Sequence, residues 1–350
     1  MLPCPVTLAV DSLATMLNCE LADHPVYDGI ELQWFEDERH GTGMLAFLSR
    51  RADRRVDYYP APGLRLDRDG YHIGGGTGAW TETSFEVARL RVTDDGVDAE
   101  VRFTDVDGRS IEVRVDDRDG RPRRRAGLLA PVSSAIEHPT SLMIVWMPAF
   151  DLVHVAGRMP VIRIDGEYAA IGRLPGARLH RRHLIKCAAP VVTVHLARDH
   201  DGPLADRPLA QREDRDATGV VGVTAEGGGT TAVLTFAPGL PDVLDLPDGT
   251  SHQGAWTVAV GGTRITGGRW HAERHGDRAD FGLDVTERWR PGRLPPIMRV
   301  VTTVVPMFRR WPTTYRWRAT VTLGEEPTVA SSWERIGADG ADAYRRATGS

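Results

Sequence analysis

The amino-acid sequence predicts an all-β protein built from two antiparallel β domains with very few short helices. The first observation is strict alternation: Val97, Ala99, Val101 and Phe103 are apolar, and the residues between them are polar. A period of two places the apolar side chains on one face of a strand. The second observation is a high frequency of turn dipeptides, and the third is the scarcity of helical periodicity.

The strands can be assigned in chain order. Residues 97–103 and 111–115 flank the turn 105–108 and predict a β-hairpin with one buried face. The same alternation recurs in residues 281–285 and 315–323. Short apolar runs predict further strands at residues 143–146, 191–196, 220–224, 232–236, 256–260 and 300–305.

Two segments have the pattern of short helices, residues 10–21 and a frayed terminal helix at residues 341–348. Elsewhere, turn signals such as Asp95-Gly96 and Asp119-Gly120 separate the strands at short intervals. Many antiparallel strands on short turns are typical of a sandwich or a barrel.

The length of 350 residues exceeds the size at which one hydrophobic core usually divides. Residues 197–219 are rich in Asp, Arg, Pro and Gly and have almost no apolar pattern, so we interpret them as a linker. The predicted organisation is an N-terminal segment (1–24), an N-terminal β domain (25–196), this linker, a C-terminal β domain (220–335) and a tail (336–350).

Composition excludes several classes of protein. A net charge of −5 with 26% charged residues lacks the basic excess of a nucleic-acid binder. No apolar run reaches the roughly 18 residues that a membrane span requires. The N-terminus has no basic region before an apolar one, so we expect a cytoplasmic protein without a signal peptide. The oligomeric state stays open.

The three cysteines, Cys4, Cys19 and Cys187, are too few and too scattered for a disulfide framework or a zinc ribbon. No Gly-x-Ser-x-Gly motif occurs, which disfavours a serine hydrolase. The sequence therefore predicts neither a structural metal nor a nucleophile elbow.

A cationic cluster surrounds the one lysine of the chain. All but one of the 43 basic residues are arginine, and Lys186 lies in the segment Leu-His-Arg-Arg-His-Leu-Ile-Lys-Cys at 179–187. Such a cluster before a buried strand needs a counter-charge, a ligand or solvent. Lys186 is a candidate base or Schiff-base nucleophile. Arg182 and His183 are candidates to polarise a carbonyl. The alternative is a solvated basic loop.

A second group of candidates flanks the apolar strand at residues 141–150. His138 precedes this strand and His154 follows it, each near a carboxylate, and such a histidine can act as a general acid or base. Trp146 and Phe150 would supply an apolar wall. The alternative is that these residues are separate strand ends that face water.

Two further segments suggest ligand contacts. The glycine-rich run 74–78 lacks the Lys-Ser/Thr ending of a phosphate-binding loop, so we interpret it as a flexible hairpin or bulge. The alternative is a glycine-lined wall that lets a ligand approach Trp80. Trp270 and His271 lie in a segment with a His-x-x-x-His spacing, but flanking glycines favour a strand. On a strand, His271, Glu273 and His275 would spread over about 13 Å. We therefore predict an aromatic lining there and no metal site.

Two unequal β-rich halves, nine tryptophans and the lack of a helical domain resemble lipocalin-like double-barrel proteins. That group includes the carotenoid hydratase and AttH-like family and related natural-product cyclases. The resemblance is architectural, covers about residues 25–335, and transfers no catalytic residue. It implies two calycin-like barrels and an enclosed cavity for an apolar small molecule, with no cofactor.

The expected function is that of a cofactor-independent enzyme of specialised metabolism. It would be a cyclase, an isomerase or a lyase of the hydratase type, acting on an apolar small molecule in a cavity between the two β domains. One alternative is a carbohydrate-active or carbohydrate-binding β-sandwich protein. The other is a non-catalytic small-molecule-binding protein.

Overall fold

The computed structural model of the chain describes residues 2–71, 73–132, 134, 136–155, 158–174, 180–206, 211–289, 294 and 296–336. Within these residues the protein is mostly β, with three sheets and two short α-helices. The predicted all-β class is confirmed. The predicted helix at residues 341–348 lies outside the described residues.

The N-terminal half contributes fifteen strands to the described structure. In chain order they are β1 (Leu8–Leu13), β2 (Thr15–Glu20), β3 (Tyr27–Asp37), β4 (Gly41–Arg50), β5 (Val56–Pro60), β6 (Thr77–Trp80), β7 (Val87–Thr93), β8 (Gly96–Thr104), β9 (Ser110–Asp116), β10 (Ala126–Ala130), β11 (Leu142–His154), β12 (Val161–Ile164), β13 (Glu167–Tyr168), β14 (Arg182–Ala188) and β15 (Val191–Leu196).

The C-terminal half forms one long antiparallel sheet with a helical insertion. Its strands are β16 (His200–Pro203), β17 (Gln211–Asp216), β18 (Gly219–Gly227), β19 (Thr230–Leu240), β20 (Ser251–Val260), β21 (Thr263–His275), β22 (Arg278–Glu287), β23 (Tyr315–Thr322) and β24 (Thr328–Arg335). Helices α1 (Pro296–Val304) and α2 (Pro306–Arg310) connect β22 to β23.

The first sheet has the order β1-β15-β11-β14-β2-β3-β4-β5-β6, with β10 added on β11. It curls strongly. Strands β1 and β2 are neighbours in the chain but lie four positions apart in the sheet. The Ala14 backbone N–H, between them, donates to the Trp34 carbonyl oxygen of β3 at 3.0 Å. The curl therefore brings β1 back beside β2 and β3 and encloses an inner face.

Two hydrophobic cores lie on either side of this curled sheet. One fills the space between its outer face and the second sheet, which has the order β13-β12-β9-β8-β7. The other is continuous from the first sheet into the C-terminal sheet. Hydrogen bonds join the same two halves: the Trp333 indole N–H donates to the carbonyl oxygens of Leu196 and Ala197, at 3.1 and 2.8 Å.

The helix predicted for residues 10–21 is wrong, because this segment forms strands β1 and β2. Both faces of β1 are covered. Leu8 and Val10 pack in the core shared with the C-terminal sheet, whereas Asp11 and Leu13 line the inner face of the curl. A strand covered on both faces loses the simple alternation that identifies a half-exposed strand, and the segment then resembles a helix.

The strand predicted for residues 300–305 is also wrong, because most of these residues belong to α1. Valine and threonine favour strands, but Pro296 starts the helix, where its fixed φ fits the first turn. The hydroxyl groups of Thr302 and Thr303 donate to carbonyl oxygens four residues earlier, at 2.8 and 2.6 Å. The segment 197–219, interpreted as a linker, contributes β16 and β17 to the third sheet.

In the part of the chain that the structure describes, neither helix combines the length and the hydropathy needed to cross a bilayer.

Candidate functional site

The curl of the first sheet encloses a cavity of about 120 Å³. Alternate residues of four strands point into it: Asp11 and Leu13 of β1, Glu31, Gln33 and Phe35 of β3, Met143, Val145 and Met147 of β11, and Val191, Thr193 and His195 of β15. The period of two follows from the pleat of each strand. The cavity is lined by residues between 11 and 195, whereas the sequence had suggested a cavity between the two halves.

Most of the cavity wall is apolar. Met16, Phe35, Phe47, Met143 and Met147 supply much of it. A cavity of roughly 150 Å³ in another protein accommodates benzene, and drug-sized ligands occupy pockets of about 300 Å³ or more. The enclosed space therefore fits a molecule about the size of a single six-membered ring, or the reacting end of a longer molecule.

One part of the cavity wall carries ionisable groups around Asp11. The His195 Nε2 atom lies 3.6 Å from Asp11 Oδ2, and the His40 Nε2 atom lies 3.7 Å from Asp11 Oδ1. The Arg39 guanidinium forms an ion pair with Asp11 Oδ1. Asp37 Oδ2 lies 2.8 Å from His40 Nδ1 on the other side of that ring. One carboxylate is thus shared by two imidazoles and a guanidinium.

His195 is the most deeply buried of these groups, with 4% of its surface exposed. Burial and the Arg198 charge together lower its pKa from 6.5 to about 4, although the Asp11 charge opposes the shift. Its Nδ1 atom lies 3.0 Å from Ser141 Oγ, which fixes the plane of the ring. At neutral pH the imidazole is therefore uncharged and can accept a proton.

Glu31 is a second ionisable group in the wall, and its side chain is half-buried. Its Oε1 accepts a hydrogen bond from Gln33 Nε2 at 2.7 Å, and its Oε2 accepts one from Asn18 Nδ2 at 2.9 Å. Burial raises the pKa of this carboxyl, although the two amides and the Lys186 charge oppose the shift. The carboxyl therefore holds a proton at higher pH than an exposed glutamic acid does.

The segment between β5 and β6 covers one side of the cavity and contains a short 3-10 turn, Arg68–Gly70. Asp67 and Tyr71 line the cavity from this segment. Burial raises the Asp67 pKa, but the hydrogen bond and charge of Arg198 outweigh burial, and the net shift is downward. Trp80, a predicted ligand contact, does not line the cavity but packs behind Tyr71, with the two rings edge-on and their centroids 5.6 Å apart.

None of the ten residues predicted for the site is among the described residues that line the cavity. Lys186 comes nearest. It lies opposite Asn18 of β2, and Asn18 lies opposite Glu31 of β3, so all three are on one face. The Lys186 ammonium forms an ion pair with Glu20. The lysine is therefore adjacent to the cavity wall and influences the Glu31 pKa through its charge.

Arg182 and His154 come together at another place, around Asp151. The Arg182 guanidinium forms an ion pair with Asp151 Oδ1, and His154 Nε2 lies 3.6 Å from Asp151 Oδ2. Burial raises the Asp151 pKa, but the hydrogen bond to His154 and the charge of Arg182 outweigh burial, and the net shift is downward. The Arg123 guanidinium lies 3.9 Å from Asp151 Oδ2. This cluster is separate from the cavity.

The other predicted residues are dispersed. His138 is exposed, and His183 is half-buried with a pKa that burial lowers. Trp146 packs edge-on against Trp289 at 5.9 Å, and Phe150 lies in the same core. Trp270 and His271 belong to β21 in the C-terminal sheet: Trp270 is buried, and burial lowers the His271 pKa.

The sequence interpretation missed Asp11, Glu31, His40 and His195. A signal was present for two of them. His195 is the one ionisable residue in the apolar run 191–196. Glu31 lies between Ile30 and Leu32, which are both fully buried. An ionisable side chain inside a buried strand marks a place where the protein tolerates a desolvation cost.

Among the described residues, no cluster of three or more His, Cys, Asp or Glu side chains has the arrangement to hold a metal ion. The three cysteines are buried and form no disulfide among the described residues, and burial raises the pKa values of Cys19 and Cys187 to about 12. These thiols pack as small apolar groups and are poor nucleophiles at neutral pH.

Comparisons of this chain with models of known protein families, with curated proteins and with solved structures gave no match.

Proposed function

We propose that the protein is a cofactor-independent enzyme of the isomerase, cyclase or hydratase type, acting on a small, largely apolar molecule in the cavity of the first sheet. One observation carries the proposal. A largely apolar cavity contains a buried imidazole with a lowered pKa, His195, and a half-buried carboxyl with a raised pKa, Glu31. Both shifts favour the uncharged form, so an unprotonated imidazole that can accept a proton and a carboxyl that can donate one face the same cavity.

In the proposed reaction, uncharged His195 removes a proton from a carbon atom beside a carbonyl group of the substrate. The C–H electron pair moves into a new C=C bond, and the carbonyl oxygen takes the Glu31 proton to give an enol. Asp11, 3.6 Å from the ring, stabilises the imidazolium that forms. Where a C=C bond adjoins that carbon, the product is a dienol: His195 gives its proton to the distal carbon, the C=C bond shifts, and the C=O bond re-forms as the enol O–H proton returns to Glu31. This completes an isomerisation and restores both groups.

The apolar wall has two roles in this proposal. It excludes bulk water, which strengthens the interaction of Asp11 with the imidazolium. It also holds the reacting carbon near the base, so that proton transfer becomes an intramolecular step. A lipocalin-like barrel arrangement would provide such an enclosed space, and the calycin-like form of the fold is part of this proposal.

Methionine methyl groups provide a direct test. Met16, Met143 and Met147 line the cavity, whereas Met298 is buried in the C-terminal half. Protein labelled with ¹³C at its methionine methyls is mixed with one-ring ketones, enones and their saturated hydrocarbon analogues. We expect ketones to shift the three cavity resonances and to leave Met298 unchanged.

The same samples, transferred to D₂O, test catalysis. The proposal expects deuterium to enter the carbon beside the carbonyl of a bound ketone much faster than in buffer. Binding at the cavity methyls without accelerated exchange for any ketone would contradict an enzyme and support a non-catalytic binding protein. Shifts confined to methyls outside the cavity would overturn the site itself.

A further inference from the structure

The helical insertion between β22 and β23 has an unusual charge distribution. Residues 288–324 contain eight arginines and no aspartate or glutamate, although the whole chain has a net charge of −5. Two of these arginines are neutralised in the sheet, Arg316 by Glu334 and Arg318 by Asp284. The remaining positive charge is concentrated at the helices and the segment before them.

Helix α1 has one face turned inward and one turned out. Met298 is buried, and Val301 and the α2 residue Phe308 pack against the main core. On the opposite side Val300 and Val304, one helical turn apart, are 56% and 66% exposed. Two adjacent branched apolar side chains in water form an exposed apolar ridge.

Exposed arginines lie on both helices and just before them in the chain. Arg288, Arg299, Arg309 and Arg310 are all exposed. Within the described part of the chain, Arg288, Arg299 and Arg309 have no carboxylate partner. An apolar ridge bordered by cations matches the boundary of an anionic lipid leaflet, where valines enter the acyl region and arginines contact headgroup phosphates.

We propose that helices α1 and α2 dock the protein peripherally on membranes rich in anionic phospholipid. An acidic protein would complement the arginines but would leave Val300 and Val304 in a polar environment. A neutral bilayer would accept the valines but would not attract the arginines. The anionic lipid surface satisfies both features at once. The two valines insert shallowly, so electrostatic attraction supplies most of the affinity.

Sedimentation with sucrose-loaded vesicles tests the proposal on the full chain. The vesicles contain either phosphatidylcholine alone or an equal mixture with phosphatidylglycerol. We expect binding to the mixed vesicles at low ionic strength, little binding to phosphatidylcholine, and release in high salt, because salt screens exposed charges. The double variant Arg309→Gln/Arg310→Gln should bind about 25-fold more weakly, at roughly fivefold per charge near the surface.

The variant Val300→Ser/Val304→Ser tests the ridge and should bind several-fold more weakly. Matched controls are Leu244→Ser, an apolar side chain that is 50% exposed elsewhere, and Arg212→Gln, an exposed arginine of β17. Both should bind like the wild type. Circular dichroism and thermal melting check that every variant is folded.

Three results would overturn the proposal. The first is the lack of binding to anionic vesicles at low ionic strength. The second is an equal loss of binding in the control variants. The third is a wild-type dimer in sedimentation velocity that Val300→Ser/Val304→Ser dissociates, since a second copy of the chain would then cover the ridge.

Discussion

The His195 Nε2 atom lies 3.6 Å from Asp11 Oδ2 inside the cavity, while Ser141 Oγ lies 3.0 Å from the other ring nitrogen. Asp11 belongs to β1 and His195 to β15, and the two strands pair directly in the curled sheet. The imidazole is therefore held between a carboxylate and a hydroxyl in a buried place. This arrangement makes the stability of the protein depend on pH and is the basis of the proposed chemistry.

The first prediction concerns acid stability. The His195 pKa is about 4 in the folded protein and 6.5 in an exposed histidine, so the unfolded chain binds the proton more tightly. The contribution to stability is present above pH 6.5 and is lost as the pH falls towards 4, by up to about 3 kcal/mol. Urea unfolding across this range measures it. His195→Asn should flatten the dependence between these pH values, whereas exposed His252→Asn should preserve it.

The second prediction separates stability from activity at Glu31. Because burial raises the pKa of this carboxyl, its ionised form is unfavourable in the folded protein. Glu31→Gln should therefore raise the melting temperature at neutral pH by a few degrees while reducing deuterium exchange, a trade-off common at catalytic sites. Calorimetry and the exchange assay measure the two effects. The control is Glu36→Gln, at an exposed position of the same strand. A Glu31→Gln variant that is less stable and fully active would contradict the assignment of Glu31 as the acid.

The third prediction concerns the buried charges outside the cavity. Asp117 is 1% exposed and accepts hydrogen bonds from the backbone of Val97 at 2.8 Å and of His154 at 2.6 Å. It also pairs with the Arg123 guanidinium at 2.6 Å. Asp117→Ala removes the acceptor of two N–H groups and the nearest counter-charge of the buried Arg123, which keeps only the more distant Asp151 carboxylate at 3.9 Å, so unfolding should cost about 3–5 kcal/mol less. Exposed Asp119→Ala should change stability by under about 0.5 kcal/mol.

The fourth prediction tests how the halves are joined. A Cβ atom added to Gly227 of β18 would overlap the carbonyl oxygen of Val10 in β1. Gly227→Ala should destabilise the whole chain by about 1–3 kcal/mol, with one cooperative transition. An added Cβ at Gly324 meets no atom within 4 Å, so Gly324→Ala is the control. Two separate transitions, with only one shifted, would show instead that the halves unfold independently.

Much of the fold could be predicted from the sequence, because in half-exposed strands such as β8 and β9 apolar side chains that face the core alternate with polar side chains that face water. Strands β1 and β2 could not be predicted, since β1 is covered on one face by the C-terminal sheet and on the other by the inside of the curl. Helix α1 could not be predicted either, because its valines favour a strand. The proline at its first position and the hydrogen bonds from Thr302 and Thr303 to helix carbonyl oxygens are local effects that the apolar pattern conceals.

The site was harder to predict than the fold. Asp11, Glu31, His40 and His195 are far apart in the chain, and only strand order and register bring them to one cavity. The conspicuous cationic segment before β15 led to Lys186, which lies on the cavity-facing side of the sheet but is paired with Glu20. A single histidine within an apolar run is a weaker signal than a cluster of five basic residues.

Deuterium exchange into a cavity-binding ketone tests the central claim most directly. The measurement compares the wild type, His195→Asn and His252→Asn, with binding confirmed by the Met143 and Met147 methyl shifts. The account predicts equal rates for the wild type and His252→Asn, and a rate about 100-fold lower for His195→Asn with binding preserved. An unchanged rate in His195→Asn would contradict the assignment of His195 as the base.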